Sequence, residues 1–379
     1  MTARPISIDV IRIPTSGPGD VSGLLALIDA GEIAPSEILA VLGKTEGNGG
    51  VNDFTREYAV AALREALAPR LGLAPHAVEE KIAFVMSGGT EGVLSPHLTV
   101  FARKSASNGA ATVAPSAAKE AEQADSKRLS IGIAHTRDFL PEEIGRRAHI
   151  DETVRAVHQA MRDAGIDDPN DVHFVQIKCP LLTSERIEAA ARRGHKTVTT
   201  GGYASMGFSR GASALGVALA LGELDAVNED RVLKDWSLFS SVASSSAGIE
   251  LMHNVVIVMG NSAQSASPFV IAHGVMRDSI DVSAVLEALK SVGLGLADAR
   301  TSGRLVNIFA KAEASPDGAV RGFRHTMLDD SDVGSTRHAR AAVGGLIGGL
   351  SGTGAVYVSG GAEHQGPPGG GPVAVIARV

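Results

Sequence analysis

The chain has 379 residues, of which 44% are hydrophobic and 20% charged, a composition typical of globular rather than disordered proteins. Its formal net charge of −7, with acidic and basic residues interspersed, argues against nucleic-acid binding. The single cysteine, Cys179, excludes a disulfide framework and a cysteine-based zinc site. No apolar run approaches the roughly 18 residues of a membrane helix, and residues 1–15 contain no signal-peptide core. We therefore expect a soluble, cytoplasmic protein without a membrane partner.

In chain order, the predicted secondary structure repeats three times. Each repeat opens with a segment in which β-branched residues alternate as in a strand, followed by an amphipathic helix that begins with aspartate. The strand segments begin about 124 residues apart, which indicates three related units. The strand–helix pairs are 6–14 with 20–30, 130–138 with 151–164, and 254–262 with 281–292.

Each repeat then carries a lysine, an arginine and a serine at corresponding positions. A second predicted strand ends in lysine, a second predicted helix has an arginine in its first turn, and a third strand ends in Ser-(Gly/Ala)-Gly-x-Glu. A lone serine in a glycine turn is usually only a turn residue, but three recurrences of the whole set are hard to obtain by chance. The lysines are Lys44, Lys178 and Lys311, the arginines are Arg56, Arg210 and Arg337, and the serines are Ser87, Ser246 and Ser359.

These repeats predict an α/β (α+β) fold of three similar βαβαβ sheet-plus-helix units, arranged with pseudo-threefold symmetry around a central active site. The predicted units are 1–104, 128–252 and 253–379. Residues 105–127 are rich in alanine and serine without apolar periodicity, and we expect them to form a linker. An isolated unit should not fold stably, because only its neighbours bury its sheet face.

Three such units would direct their lysines, arginines and serines into one cavity. Arginine offers bidentate donors to planar carbonyl oxygens, and backbone N–H groups after each serine could form oxyanion holes. A lysine buried beside arginines has its neutral form favoured, and neutral lysine can accept the proton of a serine nucleophile. The pattern indicates acyl transfer on a small, flat ligand rich in carbonyls. It does not choose which of the three Ser–Lys pairs reacts.

Other interpretations fit less well. Gly207–Gly211 matches the G-x-S-x-G nucleophile elbow, but the preceding segment makes a poor buried strand. Lys44 does not belong to a phosphate-binding loop, since Ile38 stands where that loop needs glycine. No His-x-His or HExxH motif supports metal-activated water. A non-enzymatic threefold binding module would need the arginines but not three Ser–Lys pairs.

Several long motifs resemble the cyanuric acid hydrolase/barbiturase family, and its cyanuric acid hydrolase branch most. The resemblance implies hydrolytic ring opening of cyanuric acid to carboxybiuret, which loses carbon dioxide to give biuret, in a homotetramer. The alternative it leaves open is barbituric acid, and we expect the loop Asp332–Ser335 to discriminate between the two rings. The motifs lie at 43–59, 84–97, 174–183, 202–223, 244–254 and 359–372.

The same resemblance implies residue roles. Ser246 would be the nucleophile and Lys178 its base, while Arg56, Arg210 and Arg337 would hold ring carbonyls. No cofactor is needed for the chemistry, but a structural divalent metal, Mg or Ca, is implied, and such hard cations prefer oxygen ligands. The other implied substrate contacts are Ser87, Gly88, Ala247, Ser359 and Gly360, with Lys44 and Lys311 completing the pairs. The implied metal ligands are Glu313, Ala362, Gln365, Gly366, Pro367 and Gly370.

Overall fold

A computed structural model of the protein describes residues 6–105, 126–328 and 332–379. It contains three four-stranded sheets with helices packed on them, which confirms the predicted α/β class and the three-unit organisation. The predicted linker 105–127 falls almost entirely outside the described residues and stays a prediction.

The four strands and two main helices follow one another in the same order in each unit, with an additional helix in the second and in the third. In the first unit they are β1 (Ile6–Pro14), α1 (Ser22–Asp29), β2 (Ile38–Thr45), α2 (Phe54–Leu71), β3 (Ala83–Gly88) and β4 (His97–Ser105). In the second they are β5 (Arg128–His135), α3 (Arg147–Ala164), β6 (Val172–Pro180), α4 (Ser184–Arg192), α5 (Gly202–Ala220), β7 (Ala243–Gly248) and β8 (Val255–Ser262).

The third unit adds a short hairpin to this scheme. It consists of β9 (Phe269–Met276), α6 (Val282–Ser291), α7 (Leu296–Thr301), β10 (Leu305–Ala312), β11 (Ala319–Val320), β12 (Phe323–Arg324), α8 (Ser335–Ser351), β13 (Tyr357–Gly360) and β14 (Gly371–Arg378).

All three sheets share one topology. Their strand orders are β1-β4-β2-β3, β5-β8-β6-β7 and β9-β14-β10-β13. The second and third strands of each unit run parallel, while the fourth runs antiparallel between the first and second. Even the irregularity near the start of the second strand recurs, at 38–40, 172–174 and 305–307. This agreement supports a common ancestor of the three units and a pseudo-threefold arrangement.

The structure corrects the βαβαβ pattern and one unit boundary. A fourth strand closes every sheet, and none was predicted. Segment 254–262 was predicted to open the third unit, but β8 pairs with β5 and β6 and belongs to the second sheet. The boundary predicted between 252 and 253 is therefore wrong, since the third sheet begins with β9. The cause is that first and fourth strands are both short, apolar and β-branched, so their sequences look alike.

One hydrophobic core joins the three sheets. It takes inward-facing residues from β1 to β14, and Phe309 lies at its centre. The ring of Phe309 lies 6.3 Å from Phe101 of the first unit, 5.5 Å from Phe174 of the second and 5.6 Å from Tyr357 of its own. The opposite face of each sheet packs against that unit's helices. Each sheet is thus buried on both faces, and no unit covers its own inner face.

Candidate active site

The three Ser–Lys pairs occupy equivalent places in the three sheets. Each lysine on the second strand lies directly opposite the serine on the parallel third strand. The register pairs are Lys44 with Ser87, Lys178 with Ser246, and Lys311 with Ser359. The three serines line one central cavity, so the structure brings the three pairs together. Lys44 and Lys311 donate to the serines of their own pairs, whereas no hydrogen bond between Lys178 and Ser246 is found among the described residues.

A small central cavity lies where the three units meet. Ser246 and Ser359 approach each other there, with their hydroxyl oxygens 3.2 Å apart. The cavity continues into an outer cavity of about 280 Å³, bordered by Asn48, Tyr203 and Thr336. The central cavity is lined by Gly49, Arg56, Ser87, Gly88, Met206, Arg210, Ser246, Ala247, Arg340, Ser359 and Gly360.

Two of the lysines lie beneath this cavity and bind across unit boundaries. Lys44 Nζ donates to Ser87 Oγ at 3.1 Å and to the Val358 carbonyl of the third unit at 2.8 Å. Lys311 Nζ donates to Ser359 Oγ at 3.3 Å and to the Ser245 carbonyl of the second unit at 2.9 Å. Their side chains therefore hold the units together as well as contacting the serines.

Burial depresses the pKa of all three lysines, because a low-dielectric interior disfavours the ammonium form. The pKa of Lys311 falls to about 7, with Arg210 adding to the effect of burial. The pKa of Lys44 lies well below its usual value, through burial and then Arg340. The pKa of Lys178 is also lowered by burial, although the nearby Glu250 carboxylate opposes the shift. A neutral amine is thus accessible at the site, as a general base requires.

The arginines of the cavity reach from one unit to the next. Arg340 Nε donates to Glu91 of the first unit at 2.8 Å, and Arg210 Nε donates to Glu363 of the third at 2.7 Å. Arg56 Nη1 donates to the Ala247 carbonyl of the second unit at 3.1 Å. Each unit is therefore locked to a neighbour by a guanidinium group that also faces the cavity.

The structure corrects the helix position of Arg210 and leaves the predicted substrate role of Arg337 untested. Arg337 lies on the rim with its side chain 48% exposed, whereas the side chain of Arg340, one turn further along α8, is 4% exposed and lines the central cavity. Arg210 does line the cavity, but α5 begins at Gly202, so this arginine is two turns inside its helix rather than in the first turn. The first-turn pattern holds for Arg56 and Arg337 but not for Arg210.

Glycines after two of the serines make room for the guanidinium groups. Gly89 and Gly361 have φ of +109° and +78°, and a Cβ on either would lie about 2.5 Å from an arginine side chain. The neighbouring arginines are Arg340 and Arg210. In the second unit the equivalent Gly248 packs instead against Glu250, whose carboxylate a Cβ would meet at 2.2 Å. The second unit thus departs from the threefold pattern beside Ser246.

Arg340→Lys should weaken substrate binding far more than Arg337→Lys. Arg340 is a buried, bidentate partner of Glu91 within the central cavity, and lysine cannot reproduce that fork. We expect KM to rise roughly 10- to 100-fold, in line with losing a charged hydrogen bond of about 1.5–3 kcal/mol. Steady-state kinetics of both variants measures this. An equal or larger effect of Arg337→Lys would favour Arg337 as the substrate-binding arginine.

The residues predicted to hold a metal lie beside a second cavity of about 380 Å³. Glu313, Ala362 and Gly366 line it, together with Glu363. Gln365 is adjacent, but its side chain is occupied: Oε1 accepts the Ser245 N–H at 2.7 Å, and Nε2 donates to the Gly361 carbonyl at 3.1 Å. Within the part of the chain that the structure describes, no group of three or more His, Cys, Asp or Glu side chains is arranged to hold a metal.

The chemistry of Glu313 nevertheless suits a bound cation. Burial and the neighbouring Glu363 carboxylate raise the pKa of Glu313, so its negative charge needs compensation. Nearby backbone carbonyls of the tightly folded loop 362–370 are oxygen donors, which Mg²⁺ and Ca²⁺ prefer. The residues present therefore fit a structural site made of one carboxylate and main-chain oxygens.

Serines beside lysines of lowered pKa, facing convergent guanidinium groups, form a site suited to carbonyl chemistry. The family of ring-opening amidohydrolases, "Amidohydrolase ring-opening protein", matches residues 9–378. A cyanuric acid amidohydrolase of Bradyrhizobium diazoefficiens is 69% identical over 99% of both chains, and that of Pseudomonas sp. (strain ADP) is 60% identical over 98% of this chain and 99% of its own.

Solved structures agree with these sequence matches. A cyanuric acid hydrolase described as an innovation by structural concatenation has a TM-score of 0.92 at 59% identity, covering 99% of this chain and 100% of its own. The enzyme of A. caulinodans has a TM-score of 0.88 at 48% identity, covering 98% and 99%. The chain belongs to the ring-opening amidohydrolases, the cyanuric acid hydrolase/barbiturase family, and is an enzyme that hydrolyses a cyclic amide.

Sequence reasoning missed the acidic residues of the site. Glu91 and Glu363 bind arginines of neighbouring units, and Glu250 contacts Lys178. All three end the Ser-(Gly/Ala)-Gly-x-Glu motif, so the sequence carries the signal, and the structure shows that these carboxylates contact basic residues of the site. No helix among the described residues is long and apolar enough to cross a membrane.

Proposed function

We propose that the protein opens the ring of cyanuric acid by hydrolysis, giving carboxybiuret, which loses carbon dioxide to form biuret. The observation that supports this substrate most directly is the threefold matching of site and ligand. Cyanuric acid has three equivalent carbonyls, and Arg56, Arg210 and Arg340 approach the cavity from three units. The high identity to enzymes named for this substrate supports the same choice.

Ser246 acts as the nucleophile in this proposal, and neutral Lys178 as its base. Ser246 Oγ forms a bond to a ring carbonyl carbon while its proton passes to Lys178 Nζ. The resulting oxyanion is stabilised by backbone N–H groups and guanidinium donors around the cavity. The adjacent ring C–N bond then breaks, and the leaving nitrogen takes the proton back from Lys178. These steps leave a carbamoyl ester on Ser246.

Water completes the cycle. Lys178, neutral again, accepts a proton from the attacking water, whose oxygen bonds to the ester carbon. The C–O bond to Ser246 breaks, the serine oxygen recovers a proton from Lys178, and the carbamate product leaves. Two moderate barriers replace one difficult attack of water on a resonance-stabilised amide.

Parallel assays on cyanuric acid and barbituric acid test the substrate. Barbituric acid has the same three ring carbonyls but carries carbon in place of one ring nitrogen. We expect biuret and carbon dioxide from cyanuric acid, with a much lower kcat/KM for barbituric acid. A preference for barbituric acid would contradict the proposal and support the barbiturase alternative. The homotetramer, the cytoplasmic location and the discriminating role of Asp332–Ser335 stay predictions.

We also propose a structural Mg²⁺ or Ca²⁺ held by Glu313 and main-chain carbonyls of Ala362, Gln365, Gly366, Pro367 and Gly370. Its charge would compensate the buried Glu313 carboxylate and stabilise the loop that follows Ser359. Glu313→Gln should lower the metal content of purified protein and remove the sensitivity of Tm to chelators. The Tm of the wild type should fall by several degrees in EDTA. The Tm of the control variant Glu65→Gln, whose exposed side chain lies on α2, should fall by the same amount. A metal-free wild type with chelator-insensitive Tm would contradict this site.

A further inference from the structure

The three glutamates that end the serine motif are not equivalent. Glu91 and Glu363 bind arginines from neighbouring units, Arg340 and Arg210. Threefold symmetry would pair Glu250 with Arg56 in the same way. Glu250 Oε1 instead lies 2.8 Å from Lys178 Nζ, within its own unit. The pattern is therefore broken at one point, beside Ser246.

The lysines differ accordingly. Lys44 and Lys311 bind serine hydroxyls and backbone carbonyls. Among the ion pairs between described residues, Lys178 has a carboxylate partner and the other two lysines do not. Sequence symmetry could not select one Ser–Lys pair, but this contact distinguishes the pair formed by Lys178 and Ser246.

We propose that Glu250 is a positioning residue that completes a Ser246–Lys178–Glu250 relay and thereby makes the second Ser–Lys pair the reactive one. This inference rests on the proposed function, in which Lys178 takes the proton of Ser246. That transfer turns a neutral amine into an ammonium group in a buried site, which is costly without a partner. A carboxylate 2.8 Å away stabilises the charge as it forms and orients the amine, as the third member of a catalytic triad does.

Glu250 remains ionised throughout, so the proton moves only between Ser246, Lys178 and the substrate. Its side chain is 36% exposed and lines a cavity of about 300 Å³, separate from the one that Ser246 lines. Lys178 holds the pKa of Glu250 near 2, against the opposing effect of burial. The charged and titratable groups around Glu250 are Arg56 on α2, Lys178 on β6, Arg186 on α4, Glu79 and Glu80 before β3, His135 on β5 and His253 before β8.

Glu250→Gln tests the relay through its pH profile. Because the carboxylate raises the pKa of Lys178, its removal should move the rising limb of kcat against pH to lower pH. We expect kcat to fall about 100-fold with KM changed less than threefold, as for loss of a group assisting acid–base catalysis. Glu250→Asp keeps the charge and should return the limb part of the way to its wild-type position. Both variants are checked for wild-type circular dichroism and Tm.

Glu363→Gln is the matched control, since its partner is Arg210 rather than a lysine. It should raise KM and leave the rising limb where it is. The relay is wrong if Glu250→Gln keeps the wild-type kcat and the wild-type position of the rising limb. It is also wrong if Glu250→Gln raises KM alone, because Glu250 then acts by holding Arg56. In either case, the proposed function is retained if the wild type opens the ring and Ser246→Ala does not. Absence of wild-type turnover would refute the proposed function itself.

Discussion

Ser246→Ala is expected to abolish ring opening while cyanuric acid still binds. The hydroxyl supplies the bond-forming atom, so its loss should lower kcat by roughly 10⁴-fold or more, as for nucleophile deletions in serine hydrolases. The guanidinium groups of Arg56, Arg210 and Arg340 remain, and binding should persist. Ser246 is 8% exposed and small, so alanine fits without repacking. Biuret release measures turnover, and calorimetry measures binding.

Ser87→Ala and Ser359→Ala are matched controls, because both serines lie in the same register and line the same cavity. Each should weaken binding through the loss of one hydroxyl contact, by about 0.5–1.5 kcal/mol, and retain turnover. Loss of turnover in one of them, with activity kept in Ser246→Ala, would move the nucleophile to that unit. The threefold site makes this comparison unusually direct, since three chemically similar serines differ only in their surroundings.

The interlocking of the units explains why one site serves the whole chain. Lys44 of the first unit binds Val358 of the third, and Lys311 of the third binds Ser245 of the second. Arg210 and Arg340 bind carboxylates in units other than their own. These groups are buried and charged or strongly polar, and they are satisfied only when neighbouring units are in place. The active site therefore forms only when the three units fold together.

The sequence was sufficient to predict the three units and the Ser–Lys pairs. A lysine at the end of a buried strand and a serine in a glycine turn are distinctive when they recur three times, and parallel pairing of adjacent strands places them together. The fourth strands were not separable from first strands, because both are short apolar segments. β8 was therefore assigned to the wrong unit.

The sequence also does not decide which of two neighbouring arginines faces inward. Arg337 and Arg340 are three residues apart on α8, so both lie near the same helix face. Both side chains donate to Glu91, and it is Arg340, packed against Gly89, that lines the central cavity. The contact between Glu250 and Lys178 also departs from the threefold symmetry. The sequence repeat predicts equivalent contacts for Glu91, Glu250 and Glu363, so it does not reveal this one.

Lys178→Met should lower kcat by about 10⁴-fold, since it removes the base while keeping the length and packing of the side chain. Lys178 is 1% exposed, and methionine fills such sites readily. In wild type, the neutral amine is the active form, so activity should be lost as pH falls below the pKa of Lys178. Burial and Arg56 lower that pKa, which places the rising limb below the ordinary value of 10.5. The pH dependence of kcat for biuret release measures it.

Lys44→Met and Lys311→Met are the controls for this base. Both lysines bridge units through carbonyls, so we expect these variants to lose stability, seen as a lower Tm, while the folded fraction keeps the rising limb of wild type. Lys178 contacts Glu250 in its own unit, and Lys178→Met should show the opposite balance, with a small change in Tm and almost complete loss of kcat. If the rising limb of kcat against pH vanishes in Lys311→Met and persists in Lys178→Met, the base belongs to the third unit. Burial lowers the pKa of Lys311 to about 7.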